Sequence, residues 1–253
     1  MRLISAASLL LLAACSAPQI TGTPNYALLE PKGDIGFATG GNLLADTTLS
    51  DLGIADAEGA LGAQLDFKWG APHLTLATQA ARWEGNGTLD VAFGDIPATE
   101  GVSSKLDLAV HRAYLTFDFA PTDMLELGIG VGALVFDLNA TVTPESVMFA
   151  AQEIDELVPV PVLAARAAGR VWKLELQATA AGMAVDIGGD EASVLDLDLN
   201  ARYAVFGEHG SFHGALVAGW RSTDLAVAYD DGVESADLDA TVSGPYIGLQ
   251  LGF

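Results

Sequence analysis

The sequence predicts an all-β protein, an antiparallel up-and-down barrel of eight to ten strands. Apolar residues recur at every second position through most of the chain, which is the period of a strand with one apolar and one polar face. Short and long connections alternate between these segments. The chain is also apolar overall, with a mean hydropathy of +0.36, although nothing after residue 15 resembles a transmembrane helix.

About ten segments carry this alternation. In the clearest one, Leu195, Leu197 and Leu199 alternate with Asp196 and Asp198. Most of the segments are long for a globular protein, but they suit tilted transmembrane strands of about 9–11 residues with some overhang. In chain order they cover residues 33–44, 58–69, 72–93, 102–119, 123–142, 158–169, 171–187, 193–206, 211–230 and 235–253.

Two segments change phase partway. Apolar residues occupy even positions over 106–110 and odd positions over 113–119, and a similar change surrounds residues 243–245. A β-bulge adds one residue to a strand and would restore a single apolar face. We therefore expect a bulge near His111 and Arg112, and a similar irregularity at Ser243-Gly244-Pro245.

The connections divide into two sets, short turns and longer loops, as in outer-membrane barrels. An even strand number would place the N- and C-termini together on the short-turn, periplasmic side. The short connections are predicted at residues 70–71, 120–122, 169–170 and 207–210, and the longer ones at 45–57, 94–101, 143–157 and 188–192.

One longer connection has helical spacing. Val147, Met148, Ala151, Ile154 and Leu157 recur as on one face of a helix. We expect a helix over residues 145–157, lying across the barrel mouth or inside it.

Aromatic residues cluster next to the short turns and at the C-terminus, as in the girdle that barrels place at a membrane interface. The alternative is that they form the core of a soluble barrel. The six residues are Trp69, Phe119, Trp172, Phe206, Phe212 and Phe253.

The N-terminus is predicted to be an export signal. An apolar run over residues 9–12 follows Arg2 and is too short to span a bilayer. The tetrapeptide Leu12-Ala13-Ala14-Cys15 resembles a bacterial lipobox, in which the signal is cut before the cysteine and the cysteine is lipidated. That resemblance implies a lipoprotein signal over 1–14, with lipoprotein-processing machinery and outer-membrane lipids as partners. Together with the first alternating segment, it divides the mature chain into a tether over 15–32 and a barrel domain over 33–253. The alternative is an ordinary signal peptide cut nearby.

The C-terminus carries a second resemblance. Ile247, Leu249, Leu251 and Phe253 are similar to the terminal-strand signal by which bacterial barrels reach the barrel-assembly machinery. The last third of the chain, with 219–221, an acidic hairpin at 230–232 and Ser-Gly-Pro-Tyr at 243–246, resembles a family of uncharacterised outer-membrane β-barrel proteins. That family implies a barrel without an established activity, and this chain departs from it at Trp220, where tyrosine is usual, and in its lipobox.

The charge of the chain excludes one class of partner. The formal net charge is −22, so nucleic acid phosphates would be repelled. Such an acidic load is also typical of a salt-adapted surface. The single cysteine permits no internal disulfide.

Polar residues on the inner face of the barrel are expected to form a network of ion pairs, because unpaired charges cannot lie in a narrow lumen. The alternative is a cation-selective pathway lined by carboxylates. The network is predicted from Asp196, Asp198, Arg202, Arg221, Glu175 and Lys173, with Asp66, Lys68, Glu126 and His213 sharing the lumen.

We predict no catalytic residues, no cofactor and no metal. The His209-Gly210-Ser211 sequence resembles the His-x-Ser pair of outer-membrane lipid A deacylases, but it falls in a tight turn on the predicted periplasmic side. The acidic residues over 230–239 could bind calcium weakly, without an EF-hand spacing.

Three functions remain open on the sequence. The first is a lipid-anchored outer-membrane barrel with a structural or envelope-adaptor role. The second is an enzyme acting on lipid or peptide at the outer leaflet. The third is a lipid-tethered soluble barrel that holds a small apolar ligand, with its apolar residues facing inward.

Overall fold

The computed structural model describes residues 18–39, 46–93, 96–119, 124–187, 190–207, 211–230 and 234–253. Ten long antiparallel strands form the wall, and pairing of the first strand with the last closes it into a barrel, which confirms the predicted fold class. A three-residue strand, β2, is added beside β1. The strands are β1 Gln19–Thr39, β2 Asp46–Thr48, β3 Glu58–Lys68, β4 Pro72–Thr88, β5 Gly101–Asp118, β6 Leu125–Pro144, β7 Gln152–Val171, β8 Leu174–Ile187, β9 Asp190–Phe206, β10 His213–Asp230 and β11 Glu234–Gly252.

Strand β1 begins earlier than the sequence predicted. Residues 19–32 belong to the barrel wall rather than to the tether, because they pair with β3 on one side and β11 on the other. Pro24 and Pro31 obscured this strand in the sequence, since proline lacks the backbone N–H that a ladder uses. The predicted boundary at residue 33 was therefore wrong. Cys15 and the signal sequence lie outside the described residues.

The register of β5 runs without interruption from Gly101 to Asp118, so the predicted bulge at His111 and Arg112 was wrong. The pairing of β10 with β11 is likewise continuous across residues 243–245. Even-numbered residues face inward along the whole of β5. The phase change in the sequence therefore reflects a change in what fills the barrel, from polar residues at one end to apolar residues at the other.

The predicted helix over 145–157 was also wrong. Residues 145–150 form bends and turns, and β7 starts at Gln152. Its pairing with β6 extends to Gln152, so backbone hydrogen bonds favour a strand. Ile154 and Val158 then share the inner face, whereas Val147 and Met148 are exposed.

The barrel has two ends with different connections. Both described chain ends lie with the short connections, since Ile20 and Phe253 exchange backbone hydrogen bonds of 3.1 Å. We call the half of the barrel next to the short connections the lower zone, and the half next to the longer connections the upper zone. The six aromatic residues predicted as a girdle are all exposed at the lower end of the barrel: Trp69, Phe119, Trp172, Phe206, Phe212 and Phe253.

Candidate functional site

The upper zone encloses an apolar chamber of about 280 Å³. Its walls are inward-facing residues of seven strands, and Trp83 is among the most deeply buried of them. The Trp83 indole Nε1 donates to the Leu29 carbonyl at 3.2 Å, which fixes the ring against β1. The chamber walls include Leu29, Ile35, Ala81, Trp83, Leu106, Val110, Phe136, Leu138, Ala140, Val142, Ile154, Val158, Leu225, Leu238 and Val242.

The outer faces of the same strands change from apolar to polar at the height where the chamber begins. In the lower zone most outward residues are exposed and apolar, whereas in the upper zone most are polar or charged, with Leu157 as an exposed apolar exception. The lower-zone exterior includes Tyr26, Leu61, Phe117, Ile129, Val131, Leu163, Leu199, Leu216, Ile247 and Leu249. The upper-zone exterior includes Lys32, Asp34, Arg82, Glu84, Asp107, Asp137, Glu153, Asp155 and Asp239. The barrel is thus polar inside and apolar outside in one zone, and the reverse in the other.

Residues 49–54, which we call the cap, fold over the chamber after β2. Leu49, Leu52 and Ile54 are buried and line it. The cap lies against the upper end of β4, where a Cβ built on Gly85 would come within 1.9 Å of the Gly53 carbonyl oxygen. Glycine at that position is therefore required for the backbones to approach.

The chamber ends below at a layer of buried polar residues that we call the floor. It consists of Gln79, Arg112, Tyr114, Asp196, Asp198, Arg221, Thr223 and Tyr246. In its first half, the Arg112 guanidinium from β5 meets Asp196 from β9, with Nη2 to Oδ1 at 2.9 Å and Nε to Oδ1 at 3.0 Å. Tyr114 and Thr223 also donate to Asp196, at 2.8 and 2.7 Å.

The second half of the floor is centred on Asp198. Arg221 donates to Asp198 through Nε at 2.8 Å, and Tyr246 donates to it at 2.8 Å. Arg221 Nη1 then reaches the Gln79 Oε1 on β4 at 2.6 Å. These bonds cross the lumen between strands that are distant in the sheet, so the floor divides the chamber from the space below.

Two further groups of charges fill the lower zone. Glu126 accepts from Lys68 at 2.5 Å and from Arg166 at 3.1 Å, and Asp118 lies 3.5 Å from Arg166. Asp66 accepts from Thr75 at 2.7 Å, lies 3.2 Å from His73 Nε2 and reaches Arg202 at 4.0 Å. Arg202 also meets Glu175 at 3.6 Å. Side chains thus occupy the lower lumen, as expected in a barrel of about this size.

Five of the six residues predicted for the charge network face the lumen: Asp196, Asp198, Arg202, Arg221 and Glu175. Lys173 does not, because it lies in the two-residue turn between β7 and β8. It is exposed, and its ammonium lies 5.6 Å from the centre of the Trp172 ring. Asp66, Lys68, Glu126 and His213 also face the lumen.

The floor residues Arg112, Tyr114 and Gln79 were not predicted from the sequence, and neither was the chamber. The signal that could have found them is the phase change in β5. Once the register is taken as continuous, Arg112 and Tyr114 fall on the inner face together with Leu106 and Val110.

The residues behind the catalytic alternative and the possible calcium site over 230–239 fall partly outside the described residues. His209 lies outside the described residues, and Ser211 is exposed at the lower end. Among the described residues, no group of three or more His, Cys, Asp or Glu side chains is placed to hold a metal ion. No helix in the described part of the chain is long and apolar enough to cross a membrane.

Comparisons with known proteins return barrels at very low similarity. No protein-family model and no curated protein matches the chain. A deletion mutant of the monoaromatic hydrocarbon channel TodX is 11% identical, with 95% of this chain and 91% of that chain covered and a TM-score of 0.38. The transport unit of the autotransporter AIDA-I from Escherichia coli is 13% identical, with 98% of this chain and 96% of that chain covered and a TM-score of 0.38. The outer membrane protein AlkL is 14% identical, with 95% of this chain and 94% of that chain covered and a TM-score of 0.34. Superpositions this loose carry no information about function.

Proposed function

We propose that the protein is an outer-membrane barrel of a Gram-negative bacterium that holds one small apolar molecule in its upper chamber. The observation that carries this proposal is the reversal of both faces at one height. A lumen needed only for structure could stay polar throughout. Here the strands instead place a mostly apolar surface inside the barrel, which includes Gln152 and Glu156 on β7, and charges outside it.

The lower zone supports membrane insertion. Outward apolar residues on β6 extend over 125–135, a length that matches the about 9–11 residues of a tilted transmembrane strand. Exposing such a surface to water would be unfavourable, whereas lipid covers it at no cost. The charged upper exterior then lies outside the hydrocarbon layer, and the chamber lies at or beyond the membrane interface.

The N-terminus is compatible with a lipid anchor on Cys15. β1 begins at Gln19 beside the short connections, four residues after Cys15 in the sequence. Lipidated Cys15 would therefore be held in the leaflet on that side, which we assign to the periplasm. If this is correct, the intact mass of the wild-type protein equals residues 15–253 plus acyl groups, and Cys15→Ser, which has no thiol to acylate, lacks this species.

The chamber volume limits the ligand. An apolar protein cavity of about 150 Å³ accepts benzene, so about 280 Å³ suits a molecule of roughly ten heavy atoms. Burial of such a molecule is driven by the removal of apolar surface from water. The chamber is too small for a complete lipid.

Naphthalene binding to the purified protein tests the proposal, with tryptophan fluorescence as the readout because Trp83 lines the chamber. We expect saturable binding that Ala140→Phe weakens at least tenfold, since its ring would occupy the chamber. Thr141→Phe is the matched control, because its side chain points outward from the next position of β6. Equal binding by both variants, or no saturable binding by wild type, would reject a ligand-holding chamber and favour a structural or adaptor role.

A further inference from the structure

One buried donor in the floor has no partner. The Gln79 side chain lines the bottom of the chamber and is 3% exposed. Its amide nitrogen Nε2 makes no hydrogen bond to any described residue. Among the residues that line the chamber, it is the one buried side-chain nitrogen or oxygen in the described chain that lacks a partner.

The orientation of this amide is determined by its neighbour. Arg221 Nη1 donates to the Gln79 Oε1 at 2.6 Å. Because arginine has only donors, turning the amide over would place two donors against each other. Gln79 therefore presents its NH₂ group away from Arg221, and a buried donor left unpaired is costly.

The arginines beside Gln79 are already neutralised. Arg221 is paired with Asp198, and Arg112 is paired with Asp196. An anionic group entering the chamber would therefore meet two carboxylates as well as two guanidinium groups, without a spare positive charge. The floor favours a neutral hydrogen-bond acceptor over an anion.

We propose that the chamber selects neutral apolar molecules that carry one acceptor oxygen, such as a carbonyl, and that Gln79 Nε2 donates to this oxygen. This inference rests on the proposed function, since it names the chemical class that the same chamber takes. The apolar part of the ligand lies against the walls near Trp83, and its oxygen points down to the floor. Gln79 is then the residue that determines specificity.

Three probes of nearly equal shape test this selection: acetophenone, its hydrocarbon isostere α-methylstyrene, and benzoate. Dissociation constants are measured for wild type and for Gln79→Glu, which can still accept from Arg221 but offers an acceptor where the donor was. Gln79→Leu, which removes both amide groups, is the second variant. Heat-dependent mobility on a denaturing gel verifies that each variant is folded.

We expect acetophenone binding to weaken about fivefold to tenfold in both variants, the range of a single net hydrogen bond, while α-methylstyrene changes less than twofold. Benzoate should bind wild type at least tenfold more weakly than acetophenone. If wild type binds the probes but the substitutions affect acetophenone and α-methylstyrene equally, a water molecule or nothing occupies the donor, and this inference is overturned while the proposed function stands. If wild type binds neither neutral probe, the proposed function itself fails.

Discussion

At the residue scale, Asp196 is the acceptor that holds the floor together. It is 1% exposed and accepts hydrogen bonds from Arg112, Tyr114 and Thr223, which come from two other strands. A buried ion pair of this kind adds little over a well-packed apolar pair, but removal of one partner leaves an uncompensated charge. The network therefore specifies how three strands meet inside the barrel more than it adds stability.

Replacement of Asp196 by alanine should destabilise the barrel by about 3–5 kcal/mol, because the Arg112 guanidinium would be left buried and unpaired. The free energy of unfolding can be measured in lipid vesicles by urea titration, with tryptophan fluorescence as the signal. Asp107→Ala is the matched control. Asp107 pairs with Arg82 on the outer surface, where screening by solvent makes the contribution of the ion pair to the free energy of unfolding small. Similar losses from both substitutions would mean that the floor is not a buried network.

Only some of the floor residues could be predicted from the sequence. Asp196, Asp198 and Arg221 were predictable as lumen residues, because each lies opposite an apolar outward face in a strand with clear alternation. Arg112 was not, since it sits where the alternation changes phase. Gln79 was not, because its role depends on Arg221, which approaches from the other side of the barrel.

At the element scale, period-two alternation located the strands well but misled where their surroundings change. A bulge was inferred in β5 on the assumption that each face has one environment along its length. In the structure the register of β5 is continuous, and its inner face passes from the polar lower zone to the apolar chamber. In β7, Ile154 faces the apolar chamber whereas Leu157 is exposed on the outer face, so their helical spacing with residues 147, 148 and 151 is accidental.

The cap is held close to β4 by glycines on that strand. A Cβ on Gly87 would lie 1.8 Å from the Asp51 carbonyl oxygen, so Gly87→Ala should push the cap away from β4. We expect chymotrypsin to cleave after Leu52 several-fold faster in this variant, because local displacement exposes the chain to protease. Gly169→Ala is the control, since its Cβ would meet only the Met124 oxygen, at 3.8 Å. Unchanged cleavage in Gly87→Ala would show that the cap is not held by this contact.

At the scale of the whole molecule, the barrel combines two arrangements that the sequence presented as alternatives. A membrane barrel requires apolar residues outside, and a soluble ligand-binding barrel requires them inside. Each strand can satisfy both in turn, because side chains alternate strictly and only the pattern along the strand has to change. The apolar residues outside the lower zone and inside the upper zone account for the positive mean hydropathy, although no helix among the described residues is long and apolar enough to cross a membrane.

This division predicts opposite tolerances to charge at two outward positions. Leu199→Arg, in the lower zone, should cost about 2–4 kcal/mol if it lies near the bilayer midplane, and should reduce the amount of the fast-migrating unheated band in the outer-membrane fraction. Ser103→Arg, an outward residue of β5 in the upper zone, should leave that band unchanged because its side chain is in water. If Leu199→Arg assembles as well as Ser103→Arg, the lower zone does not face lipid, and the whole barrel has to be treated as a tethered protein in water.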